Sequence, residues 1–221
     1  MLRPDLESII NDFVPRKPKD AVNLADDQHS RGYYYDDAHG YETYTPDDVL
    51  TIYTIGHSTR DFDEFIRLLQ ENRIELLADV RSFPGSRKFP QFNEESLKLT
   101  LPENGIEYIH LKQLGGRRRV KPDSRNTVWR NDAFRGYADY METEDFRNGI
   151  AELVELAEEK RTAIMCSEAV WWRCHRSMIS DYLKAAGTTV LHIMGEGKLD
   201  EHPYTPAAQI IDGVLTYRPG D

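Results

Sequence analysis

Most of the side chains in this chain that could do chemistry together fall within one short stretch, Cys166-Ser-Glu168-Ala-Val-Trp-Trp-Arg-Cys174-His175-Arg176. It holds both cysteines of the sequence beside a carboxylate, a histidine and an arginine. A helical pattern begins at Cys174, and a thiol at a helix entrance flanked by His175 and Arg176 is expected to ionise readily. The helix dipole and the neighbouring cations both favour thiolate. Cys174 is therefore a candidate nucleophile, redox thiol or metal ligand, with His175 beside it, and the plainer reading is a small half-buried residue at a helix entry. Cys166 closes an apolar run and reads equally well as a core residue. Glu168 would face the same side as Cys166 if the strand continued. A carboxylate there suits a general base or a group that holds a substrate hydroxyl, or else an ion pair with Arg176 or Arg81. Trp171 and Trp172 suit stacking on a base or sugar, or plugging the core.

A metal reading would use Cys166 and Cys174, with His175 and with His57 or His110 as a further ligand. The spacing Cys-x7-Cys-His lacks the paired Cys-x2-Cys of structural zinc sites. Neighbouring side chains on a helix also diverge by about 100°, which argues against joint ligation by Cys174 and His175. The expectation is no metal. If one is bound, Cys166, Cys174, His57 and His110 are the residues to hold it.

These residues need elements to position them. Thr51-Ile-Tyr-Thr-Ile-Gly56 reads as a strand, followed by a helix capped by Asp61 or Asp63 and carrying Phe62, Phe65, Ile66, Leu68 and Leu69. Strands are predicted over 74–80, 106–111, 162–166 and 188–194, and helices over 94–101, 134–141, 145–159 and from Cys174 to Ala186. This alternation predicts an α/β fold with a single doubly wound, mainly parallel sheet, Rossmann-like and three-layered. Residues 1–49 have no apolar period and many acidic and turn-forming residues. They read as an irregular, extended or partly disordered acidic arm, with one short helix around Leu6, Ile9, Ile10 and Phe13. The domain is expected over 50–215 and a tail over 216–221.

Parallel strands would deliver Gly56-His57-Ser58, Asp79-Val-Arg81, His110 and Cys166-Ser-Glu168 to one edge, where open α/β sheets bind ligands. His57, Asp79 and Glu168 become the acid–base candidates there, with Cys174 and His175. Arg81, Ser86, Arg87, Lys88, Arg117 and Arg176 are candidates to hold an anion, while Gly56, Ser58, Gly115 and Gly116 would bring backbone close to it. The loop from Arg81 to Phe92 mixes cations, hydroxyls and aromatics, which suits an anionic ligand with a flat face. The alternative is a solvated arginine-rich loop. No dinucleotide fingerprint or P-loop is present, so the cofactor is left open.

Composition limits the rest. A net charge of −10 over 221 residues disfavours general binding to nucleic acid or anionic membrane, yet Arg and Lys dominate from Arg81 to Arg130. No apolar run approaches the roughly 18–20 residues that span a bilayer. The N-terminus lacks the apolar core of a secretory signal. A cytoplasmic location is expected, with the two cysteines as thiols.

Several motifs occur together: Thr54-Ile-Gly-His57-Ser58, Ala78-Asp79-Val-Arg81-Ser-Phe-Pro84-Gly-Ser86-Arg-Lys-Phe-Pro-Gln-Phe92, Tyr108-Ile-His110-Leu-Lys-Gln-Leu-Gly115-Gly116, and Cys166-Ser-Glu168 followed by Cys174-His175-Arg176. In this order they resemble the family of domains of unknown function numbered 488 (DUF 488), from about Ile52 to Ile211. The resemblance implies a single α/β domain whose motifs converge on one pocket, and it implies no reaction.

The leading expectation is an intracellular enzyme for transfer or hydrolysis on a phosphate-bearing, nucleotide-like or nucleic-acid substrate. Its rivals are a non-catalytic nucleotide or nucleic-acid binding module, and a metal-dependent or thiol-redox protein using Cys166 and Cys174. No membrane partner is expected, and the oligomeric state is left open.

Overall fold

The computed structural model describes residues 33–36, 40–43 and 49–220. The chain divides into two units, Met1–Val49 and Leu50–Asp221. Within the first, β1 (Tyr33–Asp36) pairs antiparallel with β2 (Gly40–Thr43), so the expected irregular arm includes a short ribbon. The expected helix around Leu6 to Phe13 lies outside the described residues.

The second unit is a mixed α/β fold with a mostly parallel six-stranded sheet and five helices. In chain order its elements are β3 (Thr51–Gly56), α1 (Phe62–Glu71), β4 (Leu76–Asp79), α2 (Glu94–Glu103), β5 (Glu107–His110), α3 (Asp132–Met141), α4 (Glu144–Glu159), β6 (Thr162–Cys166), α5 (Arg176–Ala185), β7 (Thr189–Gly195) and β8 (Lys198–Glu201). The strand order is β5-β4-β6-β3-β7-β8, with only β8 antiparallel. A hairpin of β9 (Gln209–Ile211) and β10 (Val214–Thr216) follows.

Alternation along the buried strands decides which helices cover which face. Ile52, Ala78 and Ile164 point to one side and pack with Tyr137, Phe146, Leu153, Met178 and Leu183 from α3, α4 and α5. Tyr53, Ile55, Leu77, Ala163 and Met165 point to the other and pack with Phe65, Leu69, Leu97 and Leu101 from α1 and α2. Asp61, one of the two caps the sequence offers, caps α1 by accepting from the Asp63 amide. Pro102 lies in the last turn of α2, so it disturbs one helical bond and the helix stops a residue later.

Three elements were not anticipated. Strand β8 turns back on β7 through Gly197, which has φ +61. The β9–β10 hairpin has only three residues per strand, too few for a readable alternation. Tyr217, beyond the expected end of the domain, is buried and donates its hydroxyl to Asp181.

Candidate functional site

The carboxyl ends of β3, β4 and β6 converge. The backbone zips β3 to β6 past the regular sheet, with the His57 amide donating to the Cys166 carbonyl (3.0 Å) and the Ser58 amide to the Ser167 carbonyl (2.9 Å). Ser58 takes a left-handed conformation, φ 46, to make that turn. Above this edge lies a cavity of about 600 Å³, whose wall includes His57, Ser58, Arg81, Ser86, Lys88, Gly116, Arg117, Cys166, Glu168, Cys174 and His175.

Cys166, Cys174 and His175 form a tight cluster, with Sγ, Sγ and a ring nitrogen all within 4.8 Å of one another. The expectation that Cys174 and His175 diverge does not hold, because helix α5 starts at Arg176. Cys174 is extended (φ −134, ψ 151) after the turn Trp171–Arg173, and His175 is the residue before the helix. The change of torsion between consecutive residues brings the two side chains together, Sγ to Nδ1 at 3.5 Å. Cys166 Sγ lies 3.9 Å from the same nitrogen. The other ring nitrogen, Nε2, is 2.8 Å from the Val80 carbonyl and must donate to it. In the neutral ring, Nδ1 then presents its lone pair to both sulfurs.

Arg176 is fully buried beside the cluster and, among the described residues, has no carboxylate partner. It donates to the Glu168 carbonyl (2.6 Å) and to Thr54 Oγ1 (3.4 Å), and its Nε has no partner. Burial works against a Cys174 thiolate. The hydrogen bond with Cys166 and the charge and N–H groups of Arg176 outweigh it, and bring that thiol down to about 6. The bond with Cys174, then burial, pushes Cys166 up to about 12.

Several anticipated residues lie apart from the cluster. Asp79 is sealed below the cavity, where it grips Arg81 with both carboxylate oxygens and accepts from Tyr108. That position suits an ion-pair anchor. His57 lines the cavity, stacked on Phe92 at 4.4 Å. Burial, then the Arg81 charge, lowers its pKa to about 4. Its Nδ1 donates to the Ser58 carbonyl, and its Nε2 lies 3.3 Å from an Arg81 N–H. His110 donates to the Arg81 carbonyl. Neither histidine joins the Cys166–Cys174–His175 cluster.

The Glu168 carboxylate is exposed at the rim and pairs with neither Arg81 nor Arg176, whose partners are Asp79 and the Glu168 backbone. Arg87 is exposed and off the cavity wall. Trp171 is half-buried and stacks one face on His192, 4.5 Å apart.

The glycines are closely packed against the protein's own groups. A Cβ on Gly56 would lie 1.8 Å from the Glu168 carbonyl oxygen. One on Gly115 would meet Ser82 Oγ at 2.7 Å, and one on Gly116 the His175 ring at 2.4 Å. Sequence reasoning missed Arg173, whose side chain lines the cavity. Its place beside Cys174 was the available signal.

Fold and site together define a mixed α/β protein with a cationic cavity and a Cys–Cys–His cluster at the carboxyl edge of a mostly parallel sheet. The chain belongs to the family described as Domain of unknown function DUF488, which matches residues 61–183. No curated protein and no solved structure matches it significantly. No helix among the described residues is long and apolar enough to cross a membrane.

Proposed function

We propose that this protein is a cytoplasmic enzyme that transfers or hydrolyses a group on a phosphate-bearing, nucleotide-like substrate, free or at the end of a nucleic acid. The frame is a doubly wound, Rossmann-like sheet with its ligand at the carboxyl edge. One observation carries the reading. The described cavity wall holds Arg81, Lys88, Arg117 and Arg173 against one carboxylate, Glu168, in a chain whose net charge is −10.

Asp79 answers the Arg81 charge, while among the described residues no carboxylate pairs with Lys88, Arg117 or Arg173. Three uncompensated cations around a concave, low-dielectric wall concentrate anions. Phe83 lines the same wall 68% exposed, with the Arg117 guanidinium over its ring at 5.4 Å. An exposed ring beside cations suits a ligand that joins a flat base to a phosphate. Cys166, Cys174 and His175 lie on the wall as the reactive groups, with Glu168 at the rim to exchange a proton with solvent.

Calorimetric titration of the full chain with ADP and with inorganic phosphate tests this. Arg117→Glu/Arg173→Glu is expected to weaken ADP binding at least about tenfold, equivalent to about 1.4 kcal/mol. ADP that binds neither variant nor wild type at low salt would overturn the reading. Phosphorus NMR after prolonged incubation then separates turnover from a module that only holds the nucleotide.

A further inference from the structure

The geometry points to a zinc site formed by Cys166, Cys174 and His175, with its fourth position open to the cavity. The inference goes beyond the substrate reading above and does not depend on it. Nitrogen and thiolate sulfur are the donors that Zn²⁺ prefers, and three protein ligands with one open position is the pattern of zinc sites that do chemistry.

The spacing of the donors supports this. Zn–S bonds near 2.3 Å and Zn–N bonds near 2.05 Å at tetrahedral angles put ligand atoms about 3.5–3.8 Å apart. The His175 Nδ1 distances to the two sulfurs are 3.5 and 3.9 Å. The ring is held as a ligand histidine is commonly held, with its remote N–H given to a backbone carbonyl, here Val80. Gly116 packs against that ring with no room for a Cβ. His175 therefore cannot turn its Nδ1 away without losing the carbonyl bond and meeting the Gly116 backbone.

The donors come from separate structural pieces: Cys166 from the end of β6, and Cys174 and His175 from the turn that enters α5. All three line the cavity, so a metal held by them would face the space that Arg117 and Arg173 border. A water or a substrate oxygen would complete its coordination.

The decisive experiment uses the full-length chain, produced with zinc in the medium and purified without chelator or metal-affinity resin. Elemental analysis is expected to find about one zinc per chain. Cys166→Ser and Cys174→Ser should each lose most of it, and Glu155→Ala, exposed on α4, should keep it. Replacing zinc by Co²⁺ should produce visible d–d bands of tetrahedral intensity and a near-ultraviolet thiolate charge-transfer band.

A readout independent of variant folding comes from the wild-type thiols. Both should resist a disulfide reagent until a chelator is added, with zinc released in step. A metal-free chain whose thiols react at once even with added zinc, a chain that isolates as a Cys166–Cys174 disulfide, or zinc that survives both serine variants would each overturn the site. Zinc without ADP binding would remove the substrate class proposed above and leave the metal site standing. ADP binding without zinc would do the reverse.

Discussion

Gly116 and His175 are packed so closely that a single methyl group between them cannot be accommodated. A Cβ built on Gly116 falls 2.4 Å from Nδ1 and 2.6 Å from Cγ of the imidazole. The ring cannot retreat, because its far side is bonded to the Val80 carbonyl and Tyr137 meets it edge-on at 5.2 Å. Gly116→Ala is therefore expected to destabilise the fold by about 1–3 kcal/mol through overpacking. Gly116→Ala/His175→Ala should recover part of that loss, because the clash is between the two. Urea unfolding of the single and double variants gives the coupling directly. Strict additivity would mean that the methyl group is absorbed elsewhere.

Asp79 and Arg81 are both buried and hold each other in a fork. Asp79→Ala leaves the Arg81 guanidinium on the cavity wall without its counter-charge, at a cost of about 3–5 kcal/mol. The paired change Asp79→Leu/Arg81→Met removes both charges and should cost much less. Chemical denaturation decides between them. Equal stability of Asp79→Ala and wild type would show that the pair contributes nothing to the fold.

His192 predicts how stability changes with acidity. It is buried between Thr54, His202 and the stacked Trp171, with Asp181 behind His202 and Arg176 beyond Thr54. Burial first, then the charges of His202 and Arg176, lowers its pKa from 6.5 to about 2. The unfolded chain thus binds a proton in a window where the folded chain does not. The contribution is complete above the unfolded value and is lost as pH falls below it. By about pH 5 the loss should reach about 2 kcal/mol for this residue. His57, also lowered, adds in the same direction. Unfolding midpoints measured between about pH 7.5 and pH 5 should fall steeply in the wild type, and less steeply in His192→Asn. Equal slopes would show that His192 is protonated in the folded chain.

Asp181 on α5 ties down the end of the chain. Its two oxygens accept from His202 Nε2, from the Thr205 amide and hydroxyl, and from the Tyr217 hydroxyl. Removing the acceptor strands several buried donors at once, each worth about 1–3 kcal/mol. Asp181→Ala should therefore lose at least about 3 kcal/mol. Limited proteolysis should then cut first between β8 and β10. Uniform digestion across the domain would show that the segment is held by its apolar contacts instead.

Much of the architecture was legible because it rests on local chemistry. The apolar β-branched runs at 51–56 and 162–166, and the three-to-four spacing of Phe62, Phe65, Ile66 and Leu69, state their periods in the sequence. Burial on both faces then makes the central strands parallel. From that alone, Gly56, Asp79, His110 and Cys166 had to come to one edge.

What lay at that edge was settled by torsions and neighbours far away in sequence. Asp79 and Arg81 are two residues apart, yet the fold closes over the carboxylate and leaves the arginine on the cavity wall. The glycines read as offering backbone to a ligand also make room for the Glu168 carbonyl and the His175 ring. The meeting of Cys166, Cys174 and His175 depends on a single extended residue before a helix, followed by one in the helical region. Sequence periodicity averages over whole turns and strands, so it cannot register one dihedral angle. That angle, together with a carbonyl ninety-five residues away at Val80, turns two cysteines and a histidine into a cluster.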